Sequence, residues 1–105
     1  IPVKKIGTLI DRHGFSACTD AGHLWASSHD WRRHVAEWLP RTRVVHLYAT
    51  RGGHEHFSLS EAEPVLLDPF LASLRGFRGV VTIETFGFEP TRSSLEVLDS
   101  WLQRI

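Results

Sequence analysis

Three short apolar segments, each separated from the next by a helical pattern, limit what this chain can fold into. They are FSACTD (15–20), RVVHLYAT (43–50) and GVVTIETF (79–86). Each has the length of a strand, and the nearly continuous apolar character is typical of strands buried on both faces of a sheet. Strands joined through helical crossovers run parallel, so the sequence predicts an α/β fold with a parallel sheet.

The segments around these strands carry the periodicity and the capping residues of helices. A left-handed C-cap at Gly14 and a stop at Pro40 end the first two helices, and a turn through Gly22 is expected directly after the first strand. The first predicted helix spans residues 2–13, and the second is capped by Ser28 or Asp30 and carries Trp31, Val35, Trp38 and Leu39. The third has Asp68 as its N-cap and Pro69 in its first position, and it ends at Gly76. A capping box of Ser93 and Glu96 opens the fourth helix, which continues to Ile105.

Length and composition indicate a single small globular domain over residues 1–105. The chain is long enough for one core and too short for two, and 42% apolar with 23% charged residues is typical of globular proteins. Twelve basic and twelve acidic side chains cancel, which disfavours a nucleic acid as partner. No apolar stretch approaches the roughly 20 residues of a membrane span. Because the single Cys18 cannot form an internal disulfide, a cytoplasmic location is expected.

Three parallel strands do not make a closed sheet. Both edges would present unpaired backbone groups beside apolar faces. We therefore expect further strands, another copy of the chain or a swapped oligomer to complete the sheet.

Acidic and imidazole side chains occur at the ends of all three predicted strands. Because alternate strand residues share a face, Asp20, His46 and Glu84 are expected on the face opposite the one that packs on the helices, which carries Val45, Leu47, Val81 and Ile83. Neighbouring strands lie about 4.8 Å apart, so the three side chains could meet at one ion or substrate. A carboxylate inside GVVTIETF would be buried at a large desolvation penalty without a cation or a donor, which favours a site role for Glu84.

Further side chains next to these strand ends extend the candidate site. His23 follows Asp20 by three residues, and a sharp turn between them could bring both to one centre. His54 and His56 would face the same side of an extended loop, with Glu55 facing away. Oxygen and nitrogen ligands without thiolates suit zinc, manganese, iron or cobalt.

Purely structural roles are open for most of these residues. His46 could be a core histidine that one hydrogen bond satisfies. Asp20 and His23 could only cap the turn and the segment that follows. His54 and His56 could be solvated loop residues.

Four segments carry a resemblance to a known superfamily: CTDAGHL, VVHLYAT, GGHEHFSL and VTIETFG. They resemble, in chain order, a D-x-G-H strand end, the next strand with a metal histidine, an acidic and histidine loop, and the final strand with a metal glutamate. These are features of the xylose isomerase-like, endonuclease IV-like TIM barrels. The resemblance implies that the chain is the C-terminal three-strand βα portion of a (β/α)8 barrel, incomplete as a closed barrel, with its site at the carboxyl ends of the strands.

Within that superfamily, the chain is most similar to the cobamide-remodelling phosphodiesterases, which are zinc-dependent. With this similarity, the expected metal ligands are Asp20, His23, His46, His56 and Glu84, with zinc as the favoured ion and manganese as the alternative. The similarity implies hydrolysis of a phosphodiester in a cobamide-like substrate by metal-activated water, with His54 or Glu55 as ligand or proton-transfer group. Tyr48 and Arg51 are predicted to bind substrate, although Arg51 could equally lie in an exposed loop. The chain departs from the subfamily where HLYA replaces H-L-H-G and where Glu55 stands beside His56 in place of an adjacent Asp and His.

Two other functions are open. Similar ligands hold a polyol in sugar isomerases and epimerases, where a carboxylate such as Glu84 moves a proton. A fragment of this size could also be a non-catalytic interaction module whose strand edges another chain completes.

Overall fold

The three strands run parallel and follow one another across the sheet in chain order. In the computed structural model, which describes residues 3–104, β1 is Ala17–Asp20, β2 is Thr42–Leu47 and β3 is Val80–Ile83, with β2 in the middle. Asp20 pairs with His46 in the β1–β2 register. The α/β class and the open three-strand parallel sheet are therefore as predicted, although each strand is shorter than its apolar segment.

Residues 3–104 contain five α-helices. They are α1 Val3–His13, α2 Ala21–Ser27, α3 Trp31–Trp38, α4 Pro64–Ser73 and α5 Phe88–Gln103, and short 3₁₀ turns occupy Leu39–Arg41 and Leu59–Glu61. α3 follows Asp30, one of the two predicted caps, whose side chain makes no capping hydrogen bond. Pro2 and Ile105, assigned to the first and last helices from the sequence, lie outside the described residues. Among the helices of residues 3–104, none combines the length and the apolar composition needed to cross a bilayer.

The predicted turn through Gly22 is wrong, because a helix begins there instead. Asp20 ends β1 in an extended conformation, and its carboxylate accepts a hydrogen bond from the His23 amide at 2.9 Å. This is the bond of an N-cap, and it lets α2 start at the next residue. Asp20 therefore caps the following segment, which was one part of the structural alternative for this residue.

The prediction that Asp68 caps α4, with Pro69 in its first position, is also wrong. The helix begins at Pro64, where a missing N–H removes no intrahelical bond. Pro69 lies inside the helix and cannot donate to the carbonyl of Val65.

The capping box predicted from Ser93 and Glu96 does not form, because α5 starts earlier, at Phe88. Gly87 precedes it with a φ of +111°, which favours glycine. Pro90 occupies the third helical position, where an N–H would have no intrahelical partner. Ser93 instead donates to a carbonyl of the preceding turn, and Glu96 accepts from an arginine one turn earlier.

The helices cover one face of the sheet and form the core against it. Val45 and Leu47 are fully buried on this face, as predicted, and Ile83 is partly buried against the core, whereas Val81, predicted with them, is 38% exposed. The Phe70 ring, also fully buried, lies 5.5 Å from the Trp25 ring and 6.0 Å from the Trp31 ring. Burial of each such side chain contributes about 1.5–3 kcal/mol, so this layer fixes how the helices sit on the sheet.

The opposite face of the sheet is open at its β3 edge. Val80 is 60% exposed, and Phe86 and Phe88, just beyond β3, are 76% and 77% exposed. Cys18 on β1 is a free, exposed thiol. This half-open face is the one that carries the candidate site.

Candidate functional site

Asp20, His46 and Glu84 meet at the carboxyl ends of the three strands. Asp20 is the last residue of β1 and lies opposite His46 in the register. Glu84 follows β3 directly, and its amide donates to the Leu47 carbonyl at 3.0 Å, which extends the β2–β3 pairing by one residue. Each of the three side chains offers one ligand atom, and these atoms lie within 4.8 Å of one another. The structure thus confirms the expectation that the three share one face and one centre.

Glu84 has a buried oxygen that the described residues do not satisfy. Its Oε2 accepts no hydrogen bond within residues 3–104, and its charged neighbour is Nδ1 of His46, 2.7 Å away. A buried carboxylate oxygen without a donor carries a desolvation penalty. A cation between the imidazole nitrogen and the carboxylates would remove that penalty, so this donor set fits a metal.

The Asp20 carboxylate is held in one orientation. Its Oδ1 accepts both the His23 amide, at 2.9 Å, and the Tyr48 hydroxyl, at 2.6 Å. The other oxygen, Oδ2, lies 3.8 Å from Nδ1 of His46. One carboxylate oxygen is therefore used for positioning, and the second faces the centre that the three side chains share.

Tyr48, predicted from the sequence as a substrate-binding residue, is a positioning residue in this structure. It is fully buried, and burial, followed by the hydrogen bond to Asp20, raises the pKa of its hydroxyl above the ordinary value. The phenol therefore keeps its proton and donates a hydrogen bond to Asp20. The sequence contains one signal for this role, since Tyr48 lies two residues beyond His46 and on the same side of the chain.

Gly22 makes the position of Tyr48 possible. A Cβ built on Gly22 would lie 2.2 Å from Cε2 of the tyrosine ring. The His56 ring stacks on the tyrosine ring, with the centroids 3.8 Å apart and the planes 5° from parallel. The tyrosine ring is thus packed between α2 and His56, and the sequence analysis missed the requirement for glycine in α2.

His23 and His56, both predicted as ligands, lie beside the three-residue cluster and not in it. His23 Nδ1 is 3.2 Å from Asp20 Oδ1, but 66% of the His23 side chain is exposed. His56 is largely buried, and its Nδ1 lies 2.7 Å from the carbonyl oxygen of Glu84. A proton on that nitrogen would donate to this carbonyl, and the ring would then hold the backbone at Glu84 in place.

The loop after β2 does not present its side chains as an extended loop would. Ala49 and Phe57 form an antiparallel bridge that folds the loop back on itself. His56 consequently packs on Tyr48, whereas His54 is exposed, so the prediction that the two histidines face one side is wrong.

Glu55 and Arg51 have their own partners in this loop. Glu55 Oε1 accepts the Gly52 amide at 3.1 Å, and bonds from the backbone amides of Glu55 and Gly52 hold the pKa of the carboxyl below its ordinary value. Arg51 pairs with Glu61 at 3.8 Å and lies over the Phe57 ring. The structure does not bring either residue to the shared centre.

One imidazole nitrogen and two carboxylate oxygens form a donor set for a divalent transition metal. Such sets bind zinc, manganese, iron or cobalt, and the absence of thiolate disfavours a purely structural cysteine-type zinc site. Three protein ligands leave coordination positions free, as catalytic sites require.

No protein-family model, curated protein or solved structure matches the chain, so the assignment of the site rests on its geometry.

Proposed function

We propose that this chain supplies metal ligands to the active site of a hydrolase, with Asp20, His46 and Glu84 holding one divalent cation, zinc. The observation that carries the proposal is the convergence of three ligand atoms within 4.8 Å around a buried, unsatisfied oxygen of Glu84. The fixed orientation of Asp20, with Oδ2 towards His46, supports it further. Bound zinc would lower the pKa of a water ligand towards about 7 and polarise a phosphoryl oxygen.

The reaction that we propose is hydrolysis of a phosphodiester, in a substrate that resembles a cobamide. In this reaction Glu84 and Asp20 supply negative charge to the cation, and Tyr48 keeps Asp20 oriented without losing its proton. His54, which is exposed to solvent, is proposed as the proton-transfer group. The substrate class follows from the sequence resemblance to the cobamide-remodelling phosphodiesterases.

We also propose that the three strands belong to a larger (β/α)8 barrel. The parallel order of β1, β2 and β3, with ligands at their carboxyl ends, is the arrangement that such barrels use. The exposure of Val80, Phe86 and Phe88 at the β3 edge supports additional strands there. The single cysteine, Cys18, is consistent with a reducing compartment such as the cytoplasm.

The first experiment measures metal binding by the chain. At zinc concentrations of about 100 Kd, binding should stabilise the fold by about 2.7 kcal/mol, which raises the melting temperature by roughly 10 °C for a chain of this size. Glu84→Gln should abolish the shift. Glu89→Gln, an exposed glutamate in the first turn of α5, is the matched control and should retain it. If zinc neither binds nor stabilises the wild-type chain, the protein is an interaction module.

The second experiment measures the reaction with the longest natural form of the protein. Zinc-loaded protein should hydrolyse bis(4-nitrophenyl) phosphate, and Glu84→Gln should reduce the rate at least about a hundredfold, since one ligand and one charge are lost. Interconversion of keto- and aldo-sugars without phosphodiester cleavage would replace the hydrolase by an isomerase. The phosphodiesterase and the isomerase would use the same three metal ligands. These two assays therefore test which reaction is catalysed, and the zinc-binding experiment tests which residues bind the metal.

A further inference from the structure

A second candidate site lies at the amino-terminal end of the sheet, away from the three-residue cluster. A cleft of about 820 Å³ opens between α3, the C-terminal end of α4 and the turn that leads into β3. Four arginines line it: Arg32, Arg43, Arg75 and Arg78. We call these residues the arginine cleft.

The charges of the arginine cleft are unbalanced. No carboxylate lines the cleft, and none of its four guanidinium groups forms an ion pair within the described part of the chain. The arginines that do have carboxylate partners lie outside the cleft; they are Arg33, Arg41, Arg51 and Arg92. Because the whole chain has no net charge, this positive region is local.

The floor of the cleft is apolar and aromatic. Trp31, 6% exposed, contributes one wall, and Val35 and Phe77 line the cleft beside it. The guanidinium of Arg32 lies over the Trp31 ring, 5.5 Å from its centroid. Apolar walls with a few convergent charged groups are typical of sites for small organic ligands.

The backbone fixes the turn that carries two of the arginines. α4 ends at Ser73, before the predicted stop at Gly76, which lies in the turn beside Arg75 with a φ of +79°. A Cβ at Gly79 would lie 2.2 Å from the carbonyl oxygen of Arg43, so only glycine allows this approach of the turn to β2. The turn therefore brings Arg75 and Arg78 to the same cleft as Arg43.

We propose that the arginine cleft binds a small organic anion, in which a phosphate or carboxylate group is attached to an apolar or aromatic ring. The guanidinium groups bind the anionic group, since arginine matches the geometry of phosphate and carboxylate oxygens. The ring packs on the apolar floor beside Trp31. No residue of the cleft belongs to the Asp20, His46 and Glu84 cluster, so this proposal is independent of the metal site.

The test uses phenyl phosphate as the probe, with metal removed by a chelator so that the cluster cannot bind it. Amide shifts of residues 75–79 in nuclear magnetic resonance spectra should follow a saturable titration. Phenyl phosphate should bind at least about tenfold more tightly than inorganic phosphate or phenol, because each of these supplies only half of the contacts, and tenfold corresponds to about 1.4 kcal/mol. Raising the salt from 0.01 to 1 M shortens the Debye length from about 30 to about 3 Å and should weaken binding.

The double variant Arg75→Gln with Arg78→Gln should weaken binding about tenfold or more. Its matched control is Arg12→Gln with Arg104→Gln, which removes the same charge from exposed arginines outside the cleft. Equal weakening in both variants would show non-specific attraction and overturn the proposal. Absence of saturation in the wild type, or binding of a single-stranded oligonucleotide in preference to phenyl phosphate, would overturn it as well. Circular dichroism confirms that each variant is folded.

Discussion

Replacing Gly22 by alanine sets two physical effects against each other at one position. Gly22 lies inside α2, where helix propensity alone favours alanine by about 1 kcal/mol. The new Cβ, however, would lie 2.2 Å from the Tyr48 ring, whereas carbon atoms in contact are normally about 3.5–4.0 Å apart. The ring cannot move away freely, because it stacks on His56 and its hydroxyl binds Asp20.

The expected result is destabilisation. Overpacking of a core contact costs about 1–3 kcal/mol, and a hydrogen bond to a charged group is worth about 1.5–3 kcal/mol. After subtraction of the gain in helix propensity, Gly22→Ala should lower the free energy of unfolding by roughly 2–4 kcal/mol. Because the ring that orients Asp20 is displaced, zinc affinity should fall in the same variant.

Urea denaturation followed by tryptophan fluorescence measures this change. The matched control is Gly7→Ala inside α1, where the nearest atom to the new Cβ is the Arg41 guanidinium carbon at 3.7 Å, an ordinary contact. This variant should gain roughly 0.5–1 kcal/mol from propensity. A Gly22→Ala protein as stable as the wild type or more stable would refute the packing of Tyr48 against α2.

Three further substitutions have defined outcomes. Ser94→Ala should cost about 1–3 kcal/mol in urea denaturation, because the fully buried Ser94 hydroxyl accepts the Leu59 amide at 3.0 Å and its loss leaves that donor unpaired. Tyr48→Phe should weaken zinc binding about tenfold to a hundredfold in calorimetric titration, because the aspartate of the cluster loses its hydroxyl donor. Asp11→Asn should lower stability only at higher pH. The bidentate hydrogen bond from Arg41 holds the pKa of Asp11 below its ordinary value. The wild type should therefore have the higher free energy of unfolding above the unfolded-state pKa of Asp11, about 3.9, and this difference should disappear as pH falls through the folded-state pKa.

Each of these three results has its own contrary outcome, and the serine variant also has a matched control. Ser100→Ala, on an exposed position of α5, should leave stability within about 0.5 kcal/mol of the wild type, and an equal loss at both serines would contradict the role of Ser94. Unchanged zinc affinity in Tyr48→Phe would remove the positioning role. A stability difference for Asp11→Asn that persists at pH 2 would show that the ion pair is not its source.

The meeting of Asp20, His46 and Glu84 could be predicted from the sequence because it depends on two general rules. Alternation along a strand places these residues on one face, and parallel strands end at a common edge. Neither rule requires knowledge of the loops. The buried face of the sheet, which carries Val45 and Leu47, followed from the same alternation.

The starts of α4 and α5 could not be predicted from local signals. Proline is compatible with any position of the first helical turn, so Pro64 and Pro69 were both possible starts. In the structure, Leu67 is buried in the same core cluster as Phe70, so the turn before Pro69 packs with the rest of the helix. Pro90 was equally ambiguous, and Gly87 with its positive φ decides where α5 begins.

The supporting contacts of the site depend on structure that the sequence does not specify locally. Tyr48 reaches Asp20 only because α2 starts directly after β1 and contains Gly22 at the point of contact. His56 reaches Tyr48 only because the loop after β2 folds back on itself. Tertiary packing of this kind separates His56 from His54, which the local pattern treated alike.

The central claim is that Asp20, His46 and Glu84 bind one cation, and anomalous diffraction from crystals grown with zinc tests it most directly. The account predicts one strong peak at the zinc edge, within about 2.0–2.2 Å of an oxygen of each carboxylate and of a nitrogen of His46. The same crystals of Glu84→Gln protein should lose the peak. A peak at the exposed His23 or His54 with none between the three side chains, or no peak at all in the wild-type crystals, would contradict the claim.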